Sequence, residues 1–99
     1  MKIIWSPLSI DRVSEIARYI SLDNPDASKH WVEKLFGIVE KLKTFPRSGS
    51  IVPEIKEDTI REIVFENYRI IYRIEQKQIS ILTIRHSRQI LPESDIKTE

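Results

Sequence analysis

The feature that most constrains this chain is a change of apolar period at Phe45-Pro46. Before it, large apolar residues recur every three or four positions, as on one face of a helix. After about residue 51 they recur every second position, as on one face of a strand. A chain with this order must bury helical stripes against a sheet, which makes it α+β.

Each half carries its own punctuation. Ile3, Ile4 and Trp5 form a short apolar run that reads as a first strand. Ser6-Pro7 then opens a helix: the serine can cap, and proline lacks an N–H that would have no intrahelical partner there. Val13, Ile16, Ala17 and Ile20 supply its stripe. Asp23-Asn24-Pro25 ends that helix and starts another, predicted to run to about Thr44 with Ala27, Trp31, Leu35, Ile38 or Val39, and Leu42 facing inward. The short link predicts an antiparallel helical hairpin.

Arg47-Ser48-Gly49-Ser50 reads as a turn. Strands are expected over Thr59–Phe65, Tyr68–Glu75 and Gln78–His86, joined by the short turns Glu66-Asn67 and Gln76-Lys77. The fold expectation is β-α-α-β-β-β, with the helical hairpin on one face of a small, mainly antiparallel sheet. Residues 1–91 form one domain and 92–99 a loose polar tail. The second face of the sheet is expected to be open.

If Gln76 and Lys77 form a two-residue turn, Ile74 faces Ile79, Arg73 faces Ser80 and Tyr72 faces Ile81. Continued without interruption, that register pairs Asn67 with His86 and Tyr68 with Arg85. Alternation then places Arg69, Arg73 and His86 together on the second face, over Ile71, Leu82 and Ile84. Such a surface suits phosphate and a stacked base, although arginines on an exposed sheet face also serve solubility. Trp5 and Trp31 read as core residues, and His30 as a surface helix residue.

Composition removes other classes. The 99 residues include no cysteine, and 16 Lys and Arg nearly balance 15 Asp and Glu, for a net charge of +1. A disulfide staple or thiolate metal site is excluded, and any nucleic-acid contact requires local concentration of charge. Only two glycines, Gly37 and Gly49, are present, and no glycine-rich phosphate loop is formed. No cofactor or metal is expected. The opening MKIIWSPLSI lacks a signal-peptide pattern, and no run approaches the roughly 20 apolar residues of a membrane span. A cytoplasmic protein without membrane contact is expected.

Five segments, WSPLSIDRVSEIARYI, DNPDASKHWVEKL, LKTFPRSGSIVPEI, REIVFENYRIIYRI and ISILTIRHSRQIL, carry a resemblance to the RelE/ParE superfamily of toxins from type II toxin–antitoxin modules. It runs from Ile4 to about Leu91. The DNP link, FPRSGSIVPE and the IRHSRQ ending look closer to the ParE-like, plasmid-stabilisation branch. The resemblance implies a growth-inhibiting toxin acting on DNA gyrase and neutralised by a cognate antitoxin. The antitoxin would cover part of the hairpin and a sheet edge with an apolar helix or an added strand. Operator DNA would be bound mainly through that antitoxin.

Two alternatives accompany this reading: a RelE/YoeB-like, ribosome-dependent mRNA endonuclease that works without metal, and a non-toxic binding module in a transcriptional autoregulation complex. For the nuclease, Arg69 matches a phosphate-holding arginine, Glu54 a general-base glutamate and His86 a position near the last-strand end, with Arg61 a looser match. These four would be the catalytic set, with Arg69, Arg73, His86 and Arg88 as the functional surface. The chain departs from RelE in having neither its paired lysines nor a His-Tyr ending.

Overall fold

The computed structural model describes residues 1–97. Strand β1 spans Lys2–Trp5, helix α1 Pro7–Asp23 and helix α2 Pro25–Glu40. A 3₁₀ turn over Lys41–Lys43 extends α2 and another covers Pro46–Ser48. Strands β2 (Ser50–Ile51), β3 (Ile60–Phe65), β4 (Tyr68–Ile74) and β5 (Gln78–His86) follow, then a short helix α3 (Glu93–Lys97).

The helix starts are built as the sequence predicts. Ser6 Oγ accepts from Ser9 N–H, and Asn24 Oδ1 accepts from Ala27 N–H. Pro7 and Pro25 take the first helical positions. Trp31, Leu35, Val39 and Leu42 are buried, so Val39 rather than Ile38 completes the inward stripe. Both helices lie over one face of the sheet, where Val13 and these residues pack on Phe65, Ile70, Tyr72, Ile79, Ile81 and Ile84.

The sheet has five strands in the order β1-β5-β4-β3-β2. β1 runs parallel to β5 and the remaining neighbours are antiparallel. The two-residue strand β2 adds an edge to the expected pattern. It is pinned by Gly49, whose N–H donates to the buried Tyr72 hydroxyl at 3.0 Å. A Cβ on Gly49 would lie 2.5 Å from the Glu62 carbonyl oxygen, so the backbone can come this close only without a side chain.

The structure corrects two expectations. The second face of the sheet is not open: Val52, Ile60, Ile71, Leu82, Leu91 and Ile96 form a smaller apolar cluster there, joined by Ile55. The segment expected to be a loose tail instead packs on that face through α3, with Asp95 and Ile96 buried. Ile96 and Asp95 supply an apolar anchor and an ionic one within a single helical turn, which polar composition concealed. Residues 98 and 99 of that tail lie outside the described residues.

A further correction concerns register. Ile74–Ile79, Arg73–Ser80 and Tyr72–Ile81 pair as expected, but a β-bulge between Ile71 and Tyr72 places the extra residue Leu82 on β5. Beyond it the pairs become Ile71–Thr83, Ile70–Ile84, Arg69–Arg85 and Tyr68–His86. One inserted residue exchanges faces for everything that follows. Arg85 therefore joins Arg69 and Arg73 on the second face, while Ile84 and His86 leave it. The His86 ring instead meets Tyr68 edge-on, at a centroid distance of 5.9 Å on the helical side.

Candidate functional site

Arg69 is the hub of an ionic cluster on the second face. It is 7% exposed, near the start of β4 between Tyr68 and Ile70. A buried guanidinium needs charged partners. Its Nη1 and Nη2 donate to Glu54 Oε2 and Oε1, both at 2.8 Å, in a two-pronged pair. Its Nε donates to Glu62 Oε1 at 2.7 Å, and Nη1 also reaches the Gln89 carbonyl at 3.3 Å. Glu54 Oε2 further accepts from the Leu91 N–H at 3.1 Å. The cluster thus ties the 52–57 loop, β3, β4 and the segment after β5 into one unit.

The electrostatics follow from this geometry. The hydrogen bonds from Arg69 hold the Glu54 carboxyl down to about 2, against an ordinary 4.5. The same bonds to Glu54 push the Arg69 pKa further up. Glu54 is therefore a committed carboxylate, a poor proton acceptor at neutral pH.

Arg85 stands directly opposite Arg69 across the β4–β5 ladder, an unfavourable pairing of like charges. Asp95 of α3 offsets it. Arg85 Nε and Nη2 donate to Asp95 Oδ2 and Oδ1 at 2.8 and 3.2 Å, and Thr83 Oγ1 donates to Oδ2 at 3.0 Å. Arg12 of α1 lies 3.6 Å from Oδ1. Burial pushes the Asp95 carboxyl up, but Arg85, Thr83 and Arg12 outweigh it and leave the carboxyl below its usual range. Asp95 and Thr83 are parts of this network that the sequence reading missed. The signal was faint: one of the acidic residues of a polar ending, directly before Ile96.

The other expected residues disperse. Arg73 shares the face of Arg69, and its Nη2 donates to the Ile96 carbonyl at 3.4 Å. Arg61 is turned into the β2 corner, donating to the Gly49 carbonyl at 2.9 Å and pairing with Asp58 at 2.8 Å. Arg47 also pairs with Asp58, and its hydrogen bond to that carboxylate, ahead of the one from Arg61, keeps the Asp58 pKa down. Arg88 is exposed in the turn after β5, where its N–H donates to His86 Nδ1 at 3.2 Å. The structure therefore brings Glu54 to Arg69 and leaves Arg61 and His86 apart from them. Among the described residues no group of three His, Asp or Glu side chains is disposed to hold a metal ion.

A helical hairpin on a mixed sheet of this strand order is the RelE/ParE architecture. A solved structure titled as a chromosomal ParDE toxin–antitoxin system from P. aeruginosa shares the fold: TM-score 0.71, 21% identity, covering 87% of this chain and 95% of the other. Residues 3–91 match the family described as the ParE toxin of the type II toxin-antitoxin system parDE. A protein of Sinorhizobium fredii (strain NBRC 101917 / NGR234), named "Putative toxin Y4kP", is 35% identical over 94 residues, 93% of this chain and 94% of the relative. The chain belongs to the ParE toxin family.

Proposed function

We propose that this protein is the toxin of a two-protein module, acting in the cytoplasm, where it arrests growth by binding DNA gyrase and is neutralised by a cognate antitoxin. Operator DNA is then contacted mainly through the antitoxin. The observation that carries this reading is the saturation of Arg69 by Glu54 and Glu62. A metal-free ribonuclease needs a base for the 2′-OH, an acid for the leaving oxygen and a free cation for the phosphorane. Here the candidate base and the candidate cation neutralise each other, and His86 is on the other side of the sheet. Inhibition by surface contact asks for none of these. The near-neutral charge also favours a protein target over the phosphate-rich ribosome.

The test is to induce the protein alone, then measure supercoiling by purified gyrase and map transcript ends on translating ribosomes. Growth arrest with lost supercoiling and intact transcripts is expected. Codon-phased cleavage with normal supercoiling would overturn the reading in favour of an endonuclease. Absence of growth arrest and of both activities would overturn it in favour of a module that only represses transcription.

A further inference from the structure

Different ionic clusters on the second face anchor different parts of the chain's ending. The Arg69 cluster holds it as far as Leu91: Arg69 donates to the Gln89 carbonyl, and the Leu91 N–H donates to Glu54. The Arg85 cluster begins beyond Pro92 and rests on α3. Within residues 93–96, Asp95 and Ile96 are buried while Glu93 and Ser94 are exposed. The Asp95 N–H turns back to the Pro92 carbonyl at 3.0 Å. A cleft of about 570 Å³ separates α3 from the 52–57 loop, with Glu93 and Ile96 on one side and Glu54, Ile55 and Glu57 on the other. α3 can therefore lift about Pro92 into open space without breaking the Arg69 cluster.

What α3 covers is a ready-made carboxylate site. Arg85 grips the two oxygens of Asp95 as a fork, the buried Thr83 hydroxyl donates to the oxygen that Arg85 Nε also reaches, and Arg12 adds a second guanidinium. Beside it, Ile71, Leu82 and Leu91 belong to the apolar cluster that takes the next side chain, Ile96. The site is costly to leave empty: without Asp95, Arg85 faces Arg69 across the ladder with its counter-charge gone. Exchange of one carboxylate for another is therefore favoured over simple release. The site also selects its occupant. A guanidinium fork fits any oxyanion, but the socket asks for an apolar side chain directly after it, which a phosphate backbone lacks.

We propose that α3 is a strap hinged at Pro92 that fills this site with an internal stand-in, and that on lifting it yields the site to an acidic–apolar segment of the target protein, a carboxylate followed by a large aliphatic side chain. The proposal rests on the surface-contact reading above and deepens it by naming what the toxin grips. Asp95-Ile96 displays the chemistry of that occupant, because the site already accepts it.

The experiment uses the full chain and a synthetic peptide of residues 92–97 as the probe. Asp95→Asn combined with Ile96→Ser releases the strap, and native circular dichroism with β4 amides still protected from exchange establishes that this variant is folded. It should bind the peptide at least about tenfold more tightly than the unaltered chain, because the site no longer has to be vacated first. Asp95→Asn in the peptide should abolish binding. The released variant should also inhibit supercoiling by gyrase at a concentration lower by at least about threefold, and excess peptide should reverse that inhibition. If the double variant does not fold, Ile96→Ser alone, which keeps the Arg85–Asp95 pair, should give the same order with a smaller gain. Equal peptide binding by the released and unaltered chains, or equal binding of the two peptides, would overturn the strap. Peptide capture that leaves gyrase inhibition unchanged would overturn the target assignment, as would competition by the peptide against the antitoxin alone. Absence of inhibition by both chains would overturn the gyrase reading together with this use of the site, and the peptide measurement separates that failure from failure of the strap.

Discussion

On the helical side of the sheet, Leu35, Val39, Ile70, Tyr72 and Ile81 are at most 1% exposed and pack among apolar neighbours. On the other side, the apolar cluster is smaller and is bordered by Arg69 with Glu54 and Glu62, and by Arg85 with Asp95. A cleft of about 570 Å³ opens beside it between Glu54, Ile60, Arg73 and Ile96. The first face is held by removal of apolar surface from water, which needs no particular partner. The second is held by charge pairs whose value depends on every member being present. A sheet can therefore be closed on its second side by a smaller apolar cluster, provided ionic latches hold the border of that thinner cover.

The largest effect separating the faces should come from the dry side. Leu35→Ala should cost about 3–5 kcal/mol, through lost burial and a cavity the two helices cannot collapse. Urea denaturation checks it, and a cost below about 1 kcal/mol would mean the helical face relaxes more than its packing implies.

Arg69→Met should cost about 3 kcal/mol, because it strands Glu54 and Glu62 beside each other without their cation. The doubly altered Arg69→Met, Glu54→Leu should recover part of that loss, by the same reasoning that apolar replacement of a whole pair is tolerated. If the double change is as damaging as the sum of its parts, the latch account fails.

The smallest effect concerns acid. Glu54 sits at about 2 in the folded protein against an ordinary 4.5. Its carboxylate therefore adds stability that is fully present above about 4.5 and is lost as pH falls toward 2. After discounting for solvent around this partly exposed group, the contribution is about 1–2 kcal/mol. Glu54→Gln should flatten the fall of thermal midpoint across that window. An unchanged slope would show that Glu54 contributes nothing to it.

These contrasts mark what could be read in advance. The helical hairpin was legible because its signals are local: Ser6-Pro7 and Asn24-Pro25 each carry a cap and a first-turn proline, and Trp31, Leu35, Val39 and Leu42 repeat at helical spacing. The turn at Gln76-Lys77 was legible for the same reason, with Glu75 N–H donating to the Gln78 carbonyl at 2.9 Å. Arg69 was singled out as a residue on the second face, and the resemblance put Glu54 in the same candidate site, but their ion pair and the part of Glu62 were not legible. Glu54 is 15 positions away, and Leu91, which donates to that same carboxylate, is 37 positions from it. No spacing rule covers such distances.

By itself, then, the sequence determined the order of elements, the stripe each helix buries and the register of β4 with β5 as far as Tyr72–Ile81. Only the tertiary structure decided what lies beyond. The bulge at Leu82 brings Arg85 onto the face of Arg69 and turns His86 away, because one extra residue inverts a period of two. α3 and the 52–57 loop then close that face, because Arg69 draws in Glu54 of that loop and Arg85 draws in Asp95 of α3.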